Sequence, residues 1–196
     1  MHVLPRSAVA SQALGRAGSR VGLGLAWSLL LALQVQSLGG CSGAEDAAIE
    51  RQLAGGLIEP RSGSALAGFV TLKKRSGVIK VFLNVLNAPP GDHGVHLHQY
   101  GDCTASDASS AGPHWNPENH LHGAPTDTSH LGDLGNLHVD ASGRGLLVFS
   151  SAAFSMGDGT EFDIVGRALV IKELPDDLTT QPSGNSGLRI GCGVVR

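Results

Sequence analysis

The histidines are the residues of this sequence that could carry chemistry. Eight of the nine lie between residues 93 and 138, a concentration that a hydrophobic core does not require. Two of them, His96 and His98, are separated only by Leu97. On a β-strand, residues i and i+2 point to the same face, so both imidazoles can reach one metal ion. An H-x-H pair alone is a weak signal, and it gains weight from the histidines that follow.

The histidines downstream of this pair have the spacing of further ligands. His114, His122 and His130 recur at intervals of eight residues, and Asp133 follows three residues after the last of them. Three imidazoles and one carboxylate form the closed shell of a tetrahedral structural zinc site. A loop gathers such ligands only when the metal offsets the entropy of ordering them. The alternative, surface histidines in a mobile loop, is disfavoured because six potential ligands fall within residues 96–133.

These ligands need a scaffold, and the surrounding sequence predicts one made of β-strands. Short apolar segments, many rich in β-branched residues, alternate with turn-forming residues. Within residues 78–86 the apolar side chains fall on one face, whereas Lys80 and Asn84 point the other way, a period of two. The predicted strands are Ala65–Leu72, Val78–Leu86, Val95–Gln99, Leu134–Val139, Leu146–Phe149, Glu161–Ile171 and Leu188–Val195.

The predicted fold class is therefore all-β, an antiparallel sandwich or flattened barrel. Two long segments, Gly101–Gly132 and Glu173–Gly187, do not have a strand pattern. Loops of that length in a compact domain usually carry function. The first of them contains most of the candidate zinc ligands.

Composition limits the classes of protein that fit. The chain has 196 residues, of which 41% are hydrophobic and 16% charged, which allows one packed domain and argues against an extended disordered or coiled-coil protein. Glycine is abundant, with 28 residues, as in turn-rich β proteins. A net charge of −3 gives no basic footprint for nucleic acid, so no nucleic-acid partner is predicted.

The first 40 residues are predicted to be a secretory signal rather than part of the fold. Arg6, Arg16 and Arg20 precede an apolar run over residues 21–35, which is shorter than the roughly 20 residues of a spanning helix. Residues 38–41 (LGGC) resemble the bacterial lipoprotein box, in which the cysteine is lipidated and becomes the first mature residue. An uncleaved anchor and ordinary signal cleavage nearby are the alternatives.

The lipoprotein interpretation predicts where the protein lies in the cell. Cys41 would carry a lipid anchor, and residues 41–63 would form a polar tether before a domain at residues 64–196. The domain would face the periplasm of a bacterial cell envelope, and Ser42 after the cysteine resembles outer-membrane more than inner-membrane lipoproteins. In that oxidising compartment a disulfide between the two remaining cysteines would persist.

The domain resembles the copper/zinc superoxide dismutase family. The resemblance runs in one order over about residues 65–196, so it is highly specific. It implies a Greek-key β-sandwich or flattened barrel with two long functional loops. It is carried by residues 94–98 (GVHLH), 101–102 (GD), 111–117 (AGPHWNP), 122–123 (HG), 130–136 (HLGDLGN), 166–170 (GRALV), 176–178 (DDL) and 184–195 (GNSGLRIGCGVV).

The resemblance also implies roles for individual residues. The copper ligands would be His96, His98 and His114, with His114 bridging the two metals and acting in catalysis. The zinc ligands would be His114, His122, His130 and Asp133.

Residues around the metals are assigned in the same way. Arg189 would draw the superoxide anion toward copper, and Asp176 would link a copper histidine to a zinc histidine. His93 would be a structural histidine next to the site, and Cys103 and Cys192 would form a disulfide. His120 and His138 match no ligand position.

Lys172 is the departure from the family pattern. The family has a fourth copper-ligating histidine after GRALVI, and this sequence has lysine there, with no histidine after residue 138. An ammonium has no lone pair, so Lys172 can ligate only after losing its proton, which burial and a nearby cation favour. Fewer donors should weaken Cu(II) more than Cu(I).

Two functions remain open at this point. The resemblance implies an enzyme that converts superoxide to O2 and H2O2 while copper alternates between Cu(II) and Cu(I). The zinc set, the cysteine pair and Arg189 favour that enzyme. Lys172 favours the alternative, a catalytically weak or inactive dismutase-like protein that binds zinc and copper. Whether the chain forms a homodimer is also left open.

Overall fold

The fold is a closed antiparallel β-barrel. The computed structural model describes residues 53–196, and the predicted signal segment and Cys41 lie outside the described residues. The strands are β1 Leu53–Pro60, β2 Ala67–Arg75, β3 Val78–Leu86, β4 Gly91–His98, β5 Asp133–Val139, β6 Gly145–Ser151, β7 Ala168–Lys172 and β8 Arg189–Val194. They close in the order β1-β2-β3-β6-β5-β4-β7-β8, which confirms the all-β prediction. Among residues 53–196, no helix has the length and apolar character to cross a membrane.

Strand alternation builds the core. On β3, Ile79, Val81, Leu83 and Val85 are all buried, as the period of two predicts, while Lys80 is exposed. Inward side chains of the other strands complete one main apolar cluster. Side chains of successive residues on a strand point to opposite faces, so the same pattern that fills the barrel leaves a second set of side chains outside it.

The predicted tether is wrong at its C-terminal end. Leu53–Pro60 forms β1, which pairs with β2 along most of its length and with β8 at Glu59. Its sequence, LAGGLIEP, does not predict a strand, because its two adjacent glycines have a low strand propensity. Here the missing side chain is required, since the carbonyl oxygen of Val194 lies where a Cβ of Gly56 would be. The domain therefore begins at or before Leu53 rather than at residue 64.

The segment before β7 also differs from its prediction. Only Ala168–Lys172 of the predicted strand over residues 161–171 lies in a strand, with one residue added at its end. The preceding loop folds around the buried Asp163 carboxylate, which accepts backbone N–H groups from Gly157, Gly159 and Val165 at 2.7–2.9 Å. A buried carboxylate satisfied in this way gives the loop a fixed shape that residue propensity does not reveal.

Two long loops cover the outside of β4 and β7. The loop between β4 and β5 returns to its own strand, because Trp115 N–H donates to Leu97 O at 2.8 Å and Gly132 N–H donates to Trp115 O at 2.9 Å. A disulfide between Cys103 and Cys192 fixes the same loop to β8. The loop between β7 and β8 contacts the first loop, because Gln181 and Asp176 both hydrogen-bond to His122. The two segments that lacked a strand pattern thus meet above the histidines of β4.

Candidate metal centre

His96 and His98 lie side by side on β4 and are buried under the loops. Each is at most 1% exposed, and Leu97 between them points into the core. His96 Nε2 donates to Asp176 Oδ2 at 2.7 Å, and His98 Nδ1 donates to the Gly112 carbonyl at 2.8 Å. Each acceptor fixes which nitrogen carries the proton, because a carboxylate or carbonyl oxygen can only accept. His96 Nδ1 and His98 Nε2 are then buried without a hydrogen-bond partner.

His114 stands between these two histidines and a buried carboxylate. Its ring stacks on His96 with centroids 3.9 Å apart and lies 5.0 Å from the ring of His98. Its Nδ1 is 2.9 Å from Asp133 Oδ1, while its Nε2 is buried and has no partner. The two nitrogens of one ring therefore face two different groups of donors.

Three Nδ1 atoms converge on the Asp133 carboxylate. Besides the His114 contact, His122 Nδ1 lies 3.1 Å from Asp133 Oδ2, and His130 Nδ1 lies 3.3 Å from Oδ1. His130 Nδ1 and His114 Nδ1 are 3.4 Å apart. Zinc bonds of about 2.0 Å in a tetrahedron separate ligand atoms by about 3.3 Å. The spacing of these four side chains therefore fits a tetrahedral zinc ion.

His122 gives the clearest test of that fit. Its Nε2 donates to Asp176 Oδ1 at 2.9 Å, so its Nδ1 carries a lone pair. That lone pair is buried without a hydrogen-bond partner, although Asp133 Oδ2 is 3.1 Å away. A lone pair facing a carboxylate oxygen in a buried site is repulsive unless a cation lies between them. His96 also has a ligand atom within 4.8 Å of ligand atoms of His114, His122 and Asp133, which places the β4 pair next to this group.

Asp176 connects the two groups of histidines. Its two oxygens accept from His96 Nε2 and His122 Nε2, as described above, and it is 3% exposed. Asn136 holds its backbone in place, because the Asn136 side chain accepts from Asp176 N–H at 2.7 Å and donates to Asp176 O at 2.9 Å. Partners of this kind fix the tautomer and the orientation of ligand histidines.

Three positioning residues were not singled out from the sequence. Asn136 and Gly184 lie in stretches that carried the family resemblance, which is the signal that could have identified them. Gly184 has a positive φ of 69°, and a Cβ there would collide with the Asp176 carboxylate and lie 2.7 Å from His122 Nε2. Gln181 had no such signal; its amide accepts from His122 N–H at 2.9 Å and donates to His122 O at 2.8 Å.

Burial controls the protonation of the site. Burial lowers the pKa of His114 from 6.5 to about 4, and the hydrogen bond to Asp133 opposes this change. Burial also lowers the pKa of His96 and lowers that of His98 well below its usual value. Hydrogen bonds from His114 and His130 hold the pKa of Asp133 far below that of a free carboxyl, against the effect of its burial. Neutral imidazoles and an ionised carboxylate are the forms that bind metal.

Arg189 and Lys172 share a cleft with the histidines. His98, His114, Lys172 and Arg189 all line it. Arg189 is held by two carbonyl oxygens of the disulfide-bonded loop, Ala108 O at 2.7 Å and Gly112 O at 2.8 Å. Gly112 O also accepts from His98, so the guanidinium and a candidate copper ligand are fixed to the same backbone atom.

Lys172 ends β7 directly opposite Arg189 of β8. The residue is only 6% exposed. Burial and the nearby Arg189 charge lower the pKa of its amine to about 8, while Asp176 opposes this change. A pKa of about 8 leaves most of the amine protonated at neutral pH, so a positive charge stands where the family pattern has a ligand.

The remaining histidines lie around the site without joining it. His93 is buried, with Nδ1 2.8 Å from Lys172 O and Nε2 2.7 Å from Pro89 O, so it joins β7 to the turn before β4. His120 Nδ1 is 3.1 Å from Ser129 O. His138 is exposed on β5, next to Asp92.

Comparison with known proteins identifies the class of this domain. Residues 66–195 match the family described as copper/zinc superoxide dismutase. The chain belongs to the copper/zinc superoxide dismutase family.

The chain is similar both to chaperones and to an enzyme of that family. It is 44% identical over 113 residues to the copper chaperone for superoxide dismutase of Rattus norvegicus, a match covering 54% of this chain and 39% of that protein. It is 36% identical over 137 residues to an extracellular Cu-Zn superoxide dismutase of Caenorhabditis elegans, a match covering 66% of this chain and 61% of that protein. The chain thus spans less than two thirds of each.

Two solved structures have the same fold. One is a double mutant of a SOD-like protein from Bacillus subtilis, with 35% identity and a TM-score of 0.64 over 71% of this chain and 95% of that one. The other is the clock protein EA4, with 31% identity and a TM-score of 0.65 over 74% of this chain and 94% of that one.

Proposed function

We propose that this domain dismutates superoxide at a copper site joined to a structural zinc site. His96 Nδ1, His98 Nε2 and His114 Nε2 would hold copper. The Nδ1 atoms of His114, His122 and His130, with the Asp133 carboxylate, would hold zinc. Copper, when bound, supplies one-electron redox chemistry, and zinc supplies fixed positive charge and structural order.

The observation that carries this proposal is the set of buried imidazole nitrogens without partners. Four such atoms occur in the part of the chain that the structure describes, on His96, His98, His114 and His122. Buried polar atoms are rarely left unpaired, and each one needs an explanation. Asp176 and Gly112 fix the tautomers of three of these rings. A metal-binding role explains both the missing partners and the fixed tautomers.

The other residues of the cleft have roles that follow from their charges. Arg189 would attract and orient the superoxide anion, because its guanidinium is held at the cleft by Ala108 O and Gly112 O. The reaction consumes two protons for each pair of superoxide anions. His114 Nε2 lies in the same cleft, and whenever its lone pair is not bound to copper it can hold one of these protons.

A second candidate function is metal binding with little or no turnover. Lys172 supports it, because a buried and mostly protonated amine near the copper ligands repels a cation. Similarity to copper chaperones supports it as well. We favour the dismutase because Arg189 is present and because the three nitrogens proposed to bind copper, on His96, His98 and His114, all lack a hydrogen-bond partner.

Metal content and dismutation rate, measured on the same samples, separate the two functions. We expect the wild type to bind one copper and one zinc per chain and to turn over. Lys172→His should bind Cu(II) at least tenfold more tightly, because it adds a fourth imidazole. Arg189→Gln should keep copper and lose about tenfold in kcat/KM, since charge steers anionic substrates. Arg144→Gln, at an exposed turn, is the matched control.

Two results would decide against the dismutase. If copper and activity appear only in Lys172→His, the natural chain binds at most zinc and is not a dismutase. If Arg189→Gln and Arg144→Gln have equal kcat/KM at every ionic strength, Arg189 does not guide an anion.

We also propose that Cys41 carries a lipid anchor that holds the domain in a bacterial cell envelope, facing the periplasm. Of the two membranes, we favour the outer membrane over the inner membrane. The motif over residues 38–41 and the Cys103–Cys192 disulfide support this location. Incorporation of labelled fatty acid into the wild type, and its loss in Cys41→Ser, would test it. Equal labelling of both would show that Cys41 is not the acylated residue.

Whether the protein forms a homodimer stays a prediction, which sedimentation analysis of the purified chain would test.

A further inference from the structure

One outer face of the barrel is unusually apolar. β1, β2, β3 and β6 are neighbours, and their registers align Leu57 with Phe69 and Phe82 with Val148. Several large apolar side chains are exposed here, Leu57 at 74%, Leu146 at 60%, Val148 at 50% and Phe69 at 48%. We call these four residues and the half-buried Phe82 the apolar band. The band is not unbroken, because Asn84 lies between Phe69 and Leu146 in the strand register. A concentration of exposed apolar side chains on one face is typical of an interaction site.

A cluster of bases borders the apolar band at one end. The β2–β3 hairpin carries Lys73, Lys74, Arg75 and Lys80, which we call the basic tip. Lys73 pairs with Lys80 across the hairpin, and its amine lies 5.4 Å from the centroid of the Phe82 ring, so the basic tip and the apolar band are continuous.

The basic tip has little opposing charge nearby. Glu59 is the only acidic residue on β1, β2, β3 and β6, and it already pairs with Arg61 at 3.0 Å. This charge stands out because the whole chain has a net charge of −3. An apolar surface edged with lysine and arginine matches the chemistry of an anionic lipid bilayer, in which acyl chains lie beneath negative headgroups.

We propose that the apolar band and the basic tip dock on an anionic phospholipid surface. The path of the chain supports this occupant. Leu53, where the described chain begins, pairs with Lys73 of the basic tip, so all residues before it join the domain beside this surface. This step rests on the proposed lipid anchor: the segment between Cys41 and Leu53 can reach at most about 40 Å, which keeps the domain within that distance of the bilayer that holds the lipid.

Docking on this face leaves the metal centre free. The candidate ligands lie on β4, at the start of β5 and in the loop between these strands. In the closed barrel, β5, β4, β7 and β8 form the half opposite to β1, β2, β3 and β6. The cleft lined by Lys172 and Arg189 is therefore not covered by the bilayer. The proposal does not depend on the metal chemistry, so dismutase activity and docking can fail separately.

Vesicle binding by the full chain tests the proposal. Binding is measured to neutral phosphatidylcholine vesicles and to vesicles containing phosphatidylglycerol, and the ratio of the two affinities is the readout. This ratio removes any contribution that the apolar run at residues 21–35 makes equally to both. We expect the wild type to prefer the anionic vesicles and to lose that preference as salt is raised.

Two pairs of substitutions examine the two parts of the surface. Lys73→Glu with Lys80→Glu should lower the preference more than tenfold, since each base near an anionic surface contributes about fivefold. Arg144→Glu, at the other end of the barrel, should leave it unchanged. Leu146→Ser with Val148→Ser should weaken binding to the anionic vesicles while keeping the fold, which thermal unfolding verifies.

Several results would overturn the proposal. Equal binding of wild type to both kinds of vesicle would do so, as would equal losses in the Lys73/Lys80 and Arg144 variants. If Leu146→Ser with Val148→Ser dissociates a dimer but leaves vesicle binding intact, the face binds a second copy of the chain. If soluble polyanions compete fully and the apolar substitutions have no effect, the basic tip is a polyanion site.

Discussion

At the scale of single residues, the site is defined by which nitrogen of each ring is free. His96 and His122 both donate to Asp176, and this leaves the Nδ1 atom of each ring facing inward. A change at Asp176 therefore acts on two histidines at once. Whereas Asp176 leaves nitrogen lone pairs free to bind a cation, Lys172 opposes cation binding. At neutral pH its amine is mostly protonated, so it brings a positive charge and no lone pair to the same site.

Asp176→Asn should lower copper and zinc affinity by about 10- to 100-fold, the usual loss when such a partner is removed. An amide has one accepting oxygen, so it cannot accept from both rings. Competition with a chelator of known affinity measures the change. Asp92→Asn, on an exposed residue paired with His138, is the control, and equal affinities of the two variants would contradict the role given to Asp176.

The metal-free protein should lose stability as the pH falls below 6.5. Burial lowers the pKa of His114 to about 4, so between these pH values the unfolded chain binds a proton that the folded chain does not. The free energy of unfolding then falls by at most about 1.4 kcal/mol per pH unit for each such histidine. His96 and His98 act in the same direction, because burial lowers their pKa values too.

Thermal unfolding between pH 7.5 and 4.5 in the presence of a chelator checks this prediction. A His114→Gln variant supplies the comparison, since its free energy of unfolding should fall less steeply with pH than that of the wild type. A melting temperature that stays constant or rises as the pH drops from 6.5 would show that these rings are not buried in neutral form.

At the scale of elements, the loops owe their positions to contacts made far along the chain. The disulfide closes a span of 89 residues, and a loop of that size contributes about 4.6 kcal/mol in the chain-entropy model. It also supports Arg189, because the carbonyls of Ala108 and Gly112 that hold the guanidinium belong to the disulfide-bonded loop.

The place of β1 in the barrel gives a matched pair of substitutions. Ile58 is 2% exposed and Leu57 is 74% exposed, although they are neighbours on one strand. Ile58→Ala should cost about 2–5 kcal/mol in the free energy of unfolding because it opens a cavity in the core. Leu57→Ala should change it by less than about 0.5 kcal/mol. Urea denaturation measures both, and equal small effects would mean that residues 53–60 are a tether after all.

At the scale of the whole molecule, the two halves of the barrel have different surfaces. β4, β5, β7 and β8 lie under the loops and the metal centre, whereas β1, β2, β3 and β6 expose the apolar band. The candidate zinc ligands all lie in residues 114–133, where the β4–β5 loop meets the start of β5. A zinc ion there would fix this loop against the barrel and so stabilise the domain that the loop packs on.

Zinc should raise the free energy of unfolding of the whole domain. When free zinc is about 1,000 times its dissociation constant, the gain is about 4 kcal/mol. Denaturation with zinc and with a chelator measures this difference. Asp133→Asn should abolish most of it, because a carboxylate facing three Nδ1 atoms is lost. A wild type equally stable with and without zinc would exclude a structural zinc site.

Much of the fold could be predicted from the sequence where local rules are strong. Alternation on residues 78–86 identified β3 and its buried face, and the spacing of His96 and His98 placed both on one side of β4. Prediction failed where the local signal is weak. Glycines hid β1, and Asp163 turned part of a predicted strand into a loop through hydrogen bonds that no propensity describes.

The sequence by itself determined the kinds of ligand available, their spacing and the substitution at Lys172, because these are properties of residue type and order. The tertiary structure alone decided which imidazole nitrogens are free, which oxygens orient them, how deeply Lys172 is buried and which outer face is apolar. Those properties arise from contacts such as that between His96 and Asp176, which are 80 residues apart. Folding brings such groups together out of water, where charge and hydrogen bonding act most strongly.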